Sequence, residues 1–421
     1  MEDARQKIKL KKLWDQCRMK INRAYRYELK PNKAQKVHLA QHAGTARFAY
    51  NWGLAARIEL YEKEKKSTNA QQQHKLLNSL KSSEFFWMYE VSKCAPQEAL
   101  RDLDRAFRNF FDGLKQRRKV GYPKFKKKGI NDSFRLTGII RVKDKEVQLP
   151  RLGTLRLKEC SQVKGRILSA TVTCEVDRWY VSLTVEEELD DPKPVEGESV
   201  GIDVGINYFA ITSTGEKVTA PKPLGKRIKR LKRASKRHSR KILGSKNRKK
   251  SALKLARQHR KIRNIRKDFL HKLSTRLAKT KAAIVIEDLD IKGMLSNFRF
   301  NRSIHDVSWG AFRRMLEYKT KWYGSNLIIA PRYFPSSKIC CQCGFTAEEM
   351  PLSIREWSCP CCVTLHDRDI NAAKNLLNYH TESSSGIYAC GDPSNGGTGN
   401  WSTSYGSLKQ ELMNGIFVHK L

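Results

Sequence analysis

Val200-Gly201-Ile202-Asp203-Val204-Gly205 ends a short apolar run on an acid, and Ile284-Val285-Ile286-Glu287-Asp288-Leu289 repeats the device further along. Each reads as a buried strand that delivers a carboxylate to a sheet edge. Around them the order is strand (200–204), strand (209–212), a basic helical segment, strand (283–287), helix (309–323), strand (327–330), a cysteine knuckle and helix (369–377). Strands first, then strand and helix in alternation, is the pattern of an RNase H-like α/β fold. Acids on the first strand, a later strand and the last helix of such a sheet can meet at one edge. Asp203, Glu287 and Asp369 stand at those places.

The third acid lies in His366-Asp367-Arg368-Asp369-Ile370-Asn371-Ala372-Ala373, directly after two CxxC pairs, Cys340/Cys343 and Cys359/Cys362, that are fifteen residues apart. Each short turn presents two thiolates, and zinc takes four soft or borderline ligands tetrahedrally. Cys341 and Cys361 leave the register ambiguous, but Cys340/Cys343 and Cys359/Cys362 keep a two-residue gap on both sides. A closed four-thiolate site has no open position, so this zinc is expected to be structural. The acids suit different chemistry. Two magnesium ions about 4 Å apart, one activating water and one stabilising the leaving oxygen, need carboxylates between them. Asp203 is expected to bridge both ions, with Glu287 and Asp369 holding one each. Arg368 is a candidate phosphate contact. Asp288 and Asp367 rank below the three because neighbours along a strand or helix point elsewhere. The combination reads as a nuclease.

Composition agrees with a nucleic-acid partner. The chain has 421 residues, 39% of them hydrophobic, enough for two or three cored domains; 83 Lys plus Arg face 42 Asp plus Glu, a formal charge of +41. A folded body with that excess needs a polyanion. Residues 221–270 hold 22 Lys or Arg and one acid, Asp268, while Ile262, Ile265, Phe269, Leu273 and Leu277 make an apolar stripe, as in an amphipathic helix with a phosphate-binding face. Apolar stretches such as 282–286 are too short for a bilayer, so no membrane is expected. Met1 to Lys20 shows no secretion signal. Of eleven cysteines, Cys17, Cys94, Cys160, Cys174 and Cys390 are scattered and six cluster at 340–362, which suits a reducing cytoplasm.

Upstream, Ile21 to Leu29 reads as a strand, and Pro31-Asn32 opens a helix with Phe48, Trp52 and Ala55 on one face. A second helix follows Pro96, with Leu100, Leu103, Phe107, Phe111 and Leu114 at helical spacing, an aromatic stripe expected to be core. Beyond Gly121-Tyr122-Pro123-Lys124-Phe125 come alternating strands (167–176 and 179–185), a barrel-like β domain completed by the strand near Ile21. The domain plan is therefore a β domain (1–32 and 119–195), a helical lobe (33–118), the α/β nuclease domain (196–337 and 366–380), the zinc-ribbon insert (338–365), and a Ser/Gly/Asn/Thr-rich tail (381–421) expected to be disordered and dispensable.

GIDVGI at 201, VIEDL at 285, Arg266-Lys267-Asp268-Phe269-Leu270-His271-Lys272-Leu273-Ser274, Pro335-Ser336-Ser337-Lys338 before CCQCG, and HDRDINAAKN at 366 together carry a resemblance. With Arg47-Phe48-Ala49-Tyr50-Asn51-Trp52 and Gly121 to Phe125, they resemble the TnpB family, transposon-encoded RNA-guided DNA nucleases related to compact type V CRISPR effectors, over about residues 20–380. The resemblance implies a bilobed protein: a wedge-type β barrel with an inserted helical recognition lobe, then a RuvC nuclease domain interrupted by a zinc-bearing target-binding insert. It implies a guide RNA from the transposon end, directing cleavage of double-stranded DNA beside a short adjacent motif. The family's triad falls on Asp203, Glu287 and Asp369, and its zinc ligands on Cys340, Cys343, Cys359 and Cys362. Cys341 stands where the family often has Ser and Val363 where Gly is frequent; neither removes a ligand. The alternatives are a non-cleaving RNA-guided DNA-binding regulator with structural acids, and a strand-transfer transposase.

Overall fold

A computed structural model describes residues 18–205, 207–221, 223–290, 308–351 and 353–385. Most of the tail, 386–421, lies outside the described residues, as do the basic leader, Cys17 and Cys390. The chain divides into two compact units, Met1–Asp191 and Pro192–Leu421.

In the first unit β1 (Arg18–Glu28) pairs antiparallel along its whole length with β7 (Arg178–Asp190), which pairs with β6 (Arg166–Glu175) and through it with β2 (Ser133–Leu136). Trp179, Val181, Leu183 and Val185 of β7 turn inward and are buried, the alternation of a sheet with one wet face. A second sheet, β3 (Arg141–Lys143), β4 (Glu146–Leu149) and β5 (Gly153–Arg156), meets the first through an isolated bridge, Leu29 to Leu157. The barrel expected from the sequence is not closed: among the described residues the strands form two open sheets that share one apolar core.

The helices between β1 and β2 pack on that core. Asn32 caps α1 (Lys33–Glu64) in a reciprocal capping box with Gln35, and Asn69 does the same with Gln72 for α2 (Ala70–Leu80). After a 3-10 turn, α3 (Cys94–Lys115) carries the stripe expected to be core. Leu100 and Leu103 are fully buried, but Phe111 and Leu114 are about half exposed. Tyr122 meets Phe107 and Phe110 edge-on, Phe110 meets Phe111 edge-on, and Phe107 stacks on Phe111 where α3 leaves the core.

The second unit is built on a five-stranded sheet, ordered β10 (Lys217–Val218), β9 (Ala210–Thr212), β8 (Val200–Asp203), β11 (Ala283–Glu287), β12 (Asn326–Ala330). The first three run antiparallel; β11 and β12 run parallel to β8. Apart from their terminal acids β8 and β11 are wholly buried, which is why they read as continuous apolar runs. The basic segment is two helices packed together, α4 (Pro223–Ser239) and α5 (Lys246–Thr280), with Ser245 capping the second. Leu270, Leu273 and Leu277 of α5 meet Phe312 and Leu316 of α6 (Trp309–Tyr323) in the core. Buried Lys319 clamps α6 to α5, its Nζ donating to His271 O at 2.7 Å, Ser274 Oγ at 2.8 Å and Thr275 Oγ1 at 2.7 Å. The hairpin β13 (Glu356–Ser358) and β14 (Leu365–Asp367) leads into α7 (Arg368–Ser385).

Candidate active site and metal centres

Parallel pairing sets the first two acids side by side. Ile284 faces Val200 and Ile286 faces Ile202, so the next residues along, Glu287 and Asp203, end adjacent strands at the same edge. Helix α7 then lies directly on β8 because Gly201 has no side chain: a Cβ there would fall 1.9 Å from Ala373 O and 2.7 Å from Leu377 N. Asp369 sits in the first turn of that helix, where the dipole favours negative charge. Asp203 senses the other two. Burial first, and then the charges of Asp369 and Glu287, push its carboxyl up to about 7, against the Val204 amide and the charge of Arg368. A divalent cation beside Asp203 would relieve both the burial and the repulsion from its two neighbours.

The neighbouring acids are engaged elsewhere. Asp288 pairs with Arg313 and Arg332, and the Arg313 hydrogen bond leads in holding its carboxyl below the usual range. Asp367 accepts at Oδ1 from the amides of Asp369 (3.0 Å) and Ile370 (3.1 Å), opening α7, and takes Lys217 Nζ at 2.7 Å on its other oxygen. Arg368, expected to reach a phosphate, is buried instead and donates to Pro351 O at 2.7 Å, so it fastens the insert. The arginine bonded to one of the acids is Arg355, whose Nη1 lies 3.3 and 3.4 Å from the two Asp369 oxygens. The sequence reading missed it, because nothing in the spacing of a single basic residue before Cys359 marks it.

The four thiols form one group, with Sγ atoms of Cys340, Cys343, Cys359 and Cys362 all within 4.8 Å of one another. Two of the edges, Cys340–Cys362 and Cys343–Cys359, are 3.6 Å. Tetrahedral bonds of about 2.3 Å require edges of about 3.8 Å, close to the two short edges, so the donor set fits zinc. The two turns are twins. The amide of Gly344 donates to Cys340 O at 3.0 Å and that of Val363 to Cys359 O at 2.8 Å, both donors at positive φ, 76° and 59°. Val363 thus occupies a left-handed position that glycine would take without cost. Hydrogen bonds with Thr364 hold the Cys362 thiol down to about 6, while, against the Phe345 backbone, burial and the other thiols push that of Cys343 up to about 12. Cys341 is half-buried, its amide bonded to Asn371, and exposed Cys361 stands outside the group.

Basic surfaces lie in both units. The first carries a groove of about 1220 Å³ whose lining includes Lys81, Lys93, Gln97, Arg141, Gln148 and Arg151. In the second, the α4–α5 pair carries the basic run. No described helix is long and apolar enough to cross a membrane.

The chain is similar to several known proteins. Residues 181–297 match a family described as "Probable transposase" of the IS605 OrfB type, and residues 309–376 match a "Cas12f1-like, TNB domain". Residues 19–66 match a "Helix-turn-helix domain", although here that stretch is one strand and one long helix. A Streptomyces pristinaespiralis protein named "Putative RNA-guided DNA endonuclease" is 37% identical, covering 93% of this chain and 96% of its own. The Escherichia coli (strain K12) "Putative RNA-guided DNA endonuclease InsQ" is 32% identical, covering 89% and 95%. The Cas12f1 chain in a cryo-EM complex with sgRNA and target DNA shares the fold at a TM-score of 0.51 and 17% identity, covering 81% and 82%.

Proposed function

The chain belongs to the TnpB (IS605 OrfB) family, and on that premise we propose that it is an RNA-guided DNA endonuclease of a transposable element. It hydrolyses phosphodiester bonds of double-stranded DNA next to a short adjacent motif, directed by a guide RNA from the transposon end. The observation that carries the reading is geometric: Asp203 and Glu287 end adjacent parallel strands at one edge, and the helix that starts at Asp369 lies against Gly201 of the first strand.

Those three carboxylates would hold two magnesium ions, which when bound activate a water and stabilise the leaving oxygen. Asp203 and Glu287 contribute rigidity, since each ends a buried strand. Asp369 is aimed by Asp367, whose carboxylate fixes the first amides of α7. Arg355 supplies an exposed positive charge beside Asp369 that can pair with a phosphate. Cys340, Cys343, Cys359 and Cys362 would hold structural zinc in the insert, residues 338–365, which serves target binding. The groove of the first unit and the α4–α5 face suit RNA and DNA backbones, a binding mode that weakens steeply with salt.

The test is to express the full chain with its flanking DNA, sequence the RNA that co-purifies, and challenge the complex with magnesium and a guide-matched plasmid library. Guide-dependent cuts that Asp203→Ala abolishes, with target binding kept, are the expected result. Cuts that survive Asp203→Ala overturn the reading, and occupancy without cuts in the wild type indicates a non-cleaving regulator.

A further inference from the structure

We propose that the zinc knuckle positions Asp369, and that Asn371 is the residue through which it does so. This rests on the reading of Asp369 as a metal ligand. Asn371 is 1% exposed and makes a two-point contact with the backbone on either side of Cys340. Its Oδ1 accepts from the Cys341 amide at 2.9 Å and its Nδ2 donates to Ile339 O at 2.6 Å. One turn on, Asn375, 3% exposed, donates to the same Ile339 O at 2.6 Å and to Ser336 O at 2.7 Å. The face of α7 that carries these amides is distinct from the one that lies on Gly201. One side of the helix is therefore set by the sheet and the other by the loop that presents a zinc ligand.

The second CxxC pair is fastened to the same turn from the other direction. Trp357 pairs with His366 across the β13–β14 hairpin, and His366 Nε2 lies 3.1 Å from Cys340 Sγ. The Arg368 amide donates to Arg355 O at 2.8 Å, and Arg355 reaches Asp369. Buried amide side chains are costly to leave unpaired, so Asn371 is satisfied only while the 339–344 turn keeps its shape. Zinc is what keeps it, because such turns lack a core of their own. Asn371 is a positioning residue: it touches neither reacting atoms nor a metal, and its effect on Asp369 runs through the first turn of α7. Linkage then requires the reverse effect, with divalent ions at the acids tightening zinc binding.

Amide exchange by mass spectrometry on the full chain tests this, comparing zinc-loaded, zinc-stripped and zinc-restored protein. Stripping is expected to speed exchange of the 368–373 amides by about tenfold or more, reversed by zinc and not by magnesium. Zinc-loaded Asn371→Ala is expected to show the same loosening while retaining zinc, and to bind Mn²⁺, followed by its EPR signal, about tenfold more weakly. Unchanged exchange at the helix start on stripping, or an Asn371→Ala protein indistinguishable from wild type, overturns the proposal. If Asn371→Ala does not fold, the strip-and-restore comparison on the wild type decides alone. Asp369→Asn separates the two ideas: if it leaves Mn²⁺ affinity unchanged, the metal-centre reading fails while the exchange result still judges the coupling.

Discussion

The thiol group and the acid group are built in opposite ways. All four thiols come from residues 340–362 and are aimed by twin backbone turns, so their geometry is a local property. The three acids come from a strand, a second strand and a helix, and nothing local brings them together; sheet register and the α7–β8 contact do. A local site can be assembled by its metal, whereas a topological one needs its whole unit folded beforehand.

The largest expected effect separates the two sites. Asp203→Asn should lower guide-directed plasmid cleavage by at least about a thousandfold with zinc content unchanged, because the carboxylate belongs to one centre only. Next comes Cys359→Ser, which removes a buried ligand. It should release zinc, measured by a colorimetric chelator, and destabilise the insert by several kcal/mol, on the order of 3 or more. Sheet melting should change far less, and a collapse of the whole unit would show that the knuckle is not local. Gly201→Ala does the converse: a methyl against Ala373 O should cost about 3 kcal/mol, seen as a lowered urea midpoint, with the thiol group intact.

The smallest effect is one of pH. Burial pushes the Lys319 ammonium down to about 8, while an unfolded lysine keeps its proton to about pH 10.4. Between those values the unfolded chain binds more protons, so stability rises with pH across the window; below it both states are protonated and the desolvation cost is fully felt. Lys319→Met should remove that part of the rise, checked by denaturation below and above the window. An identical slope in both proteins would mean that the three oxygens around Nζ keep it charged throughout.

What was legible in the sequence follows the same division. Cysteine spacing is visible because the turns that aim the thiols are short. The strands ending at Asp203 and Glu287 are visible because wholly buried strands write themselves as β-branched runs. Contacts that depend on tertiary placement are not visible. Arg355 and Arg368 are equally basic on paper, yet one turns outward to Asp369 and the other inward to carbonyls. Asn371 and Asn375 read as helix-surface polars until the loop they hold is seen. The α3 stripe continues at helical spacing past the point where the core ends, so periodicity could not tell buried Leu103 from exposed Leu114. A barrel-like β domain is what the strand pattern suggests, and alternation reports a wet and a dry face but not whether the edges meet.

Helix α7 closes on Gly201 from the far end of its unit, a contact of very high sequence separation. At a synthesis rate of about 5–20 residues per second, the stretch between Asp203 and Asp369 takes on the order of ten seconds to emerge. From the point at which Thr280 emerges, the basic face of α4 and α5 is already made and the third acid is not. A nascent chain of this kind can gather polyanions on the ribosome well before it owns a complete set of carboxylates, which places acquisition of its RNA ahead of the ability to cut in the order of its own manufacture.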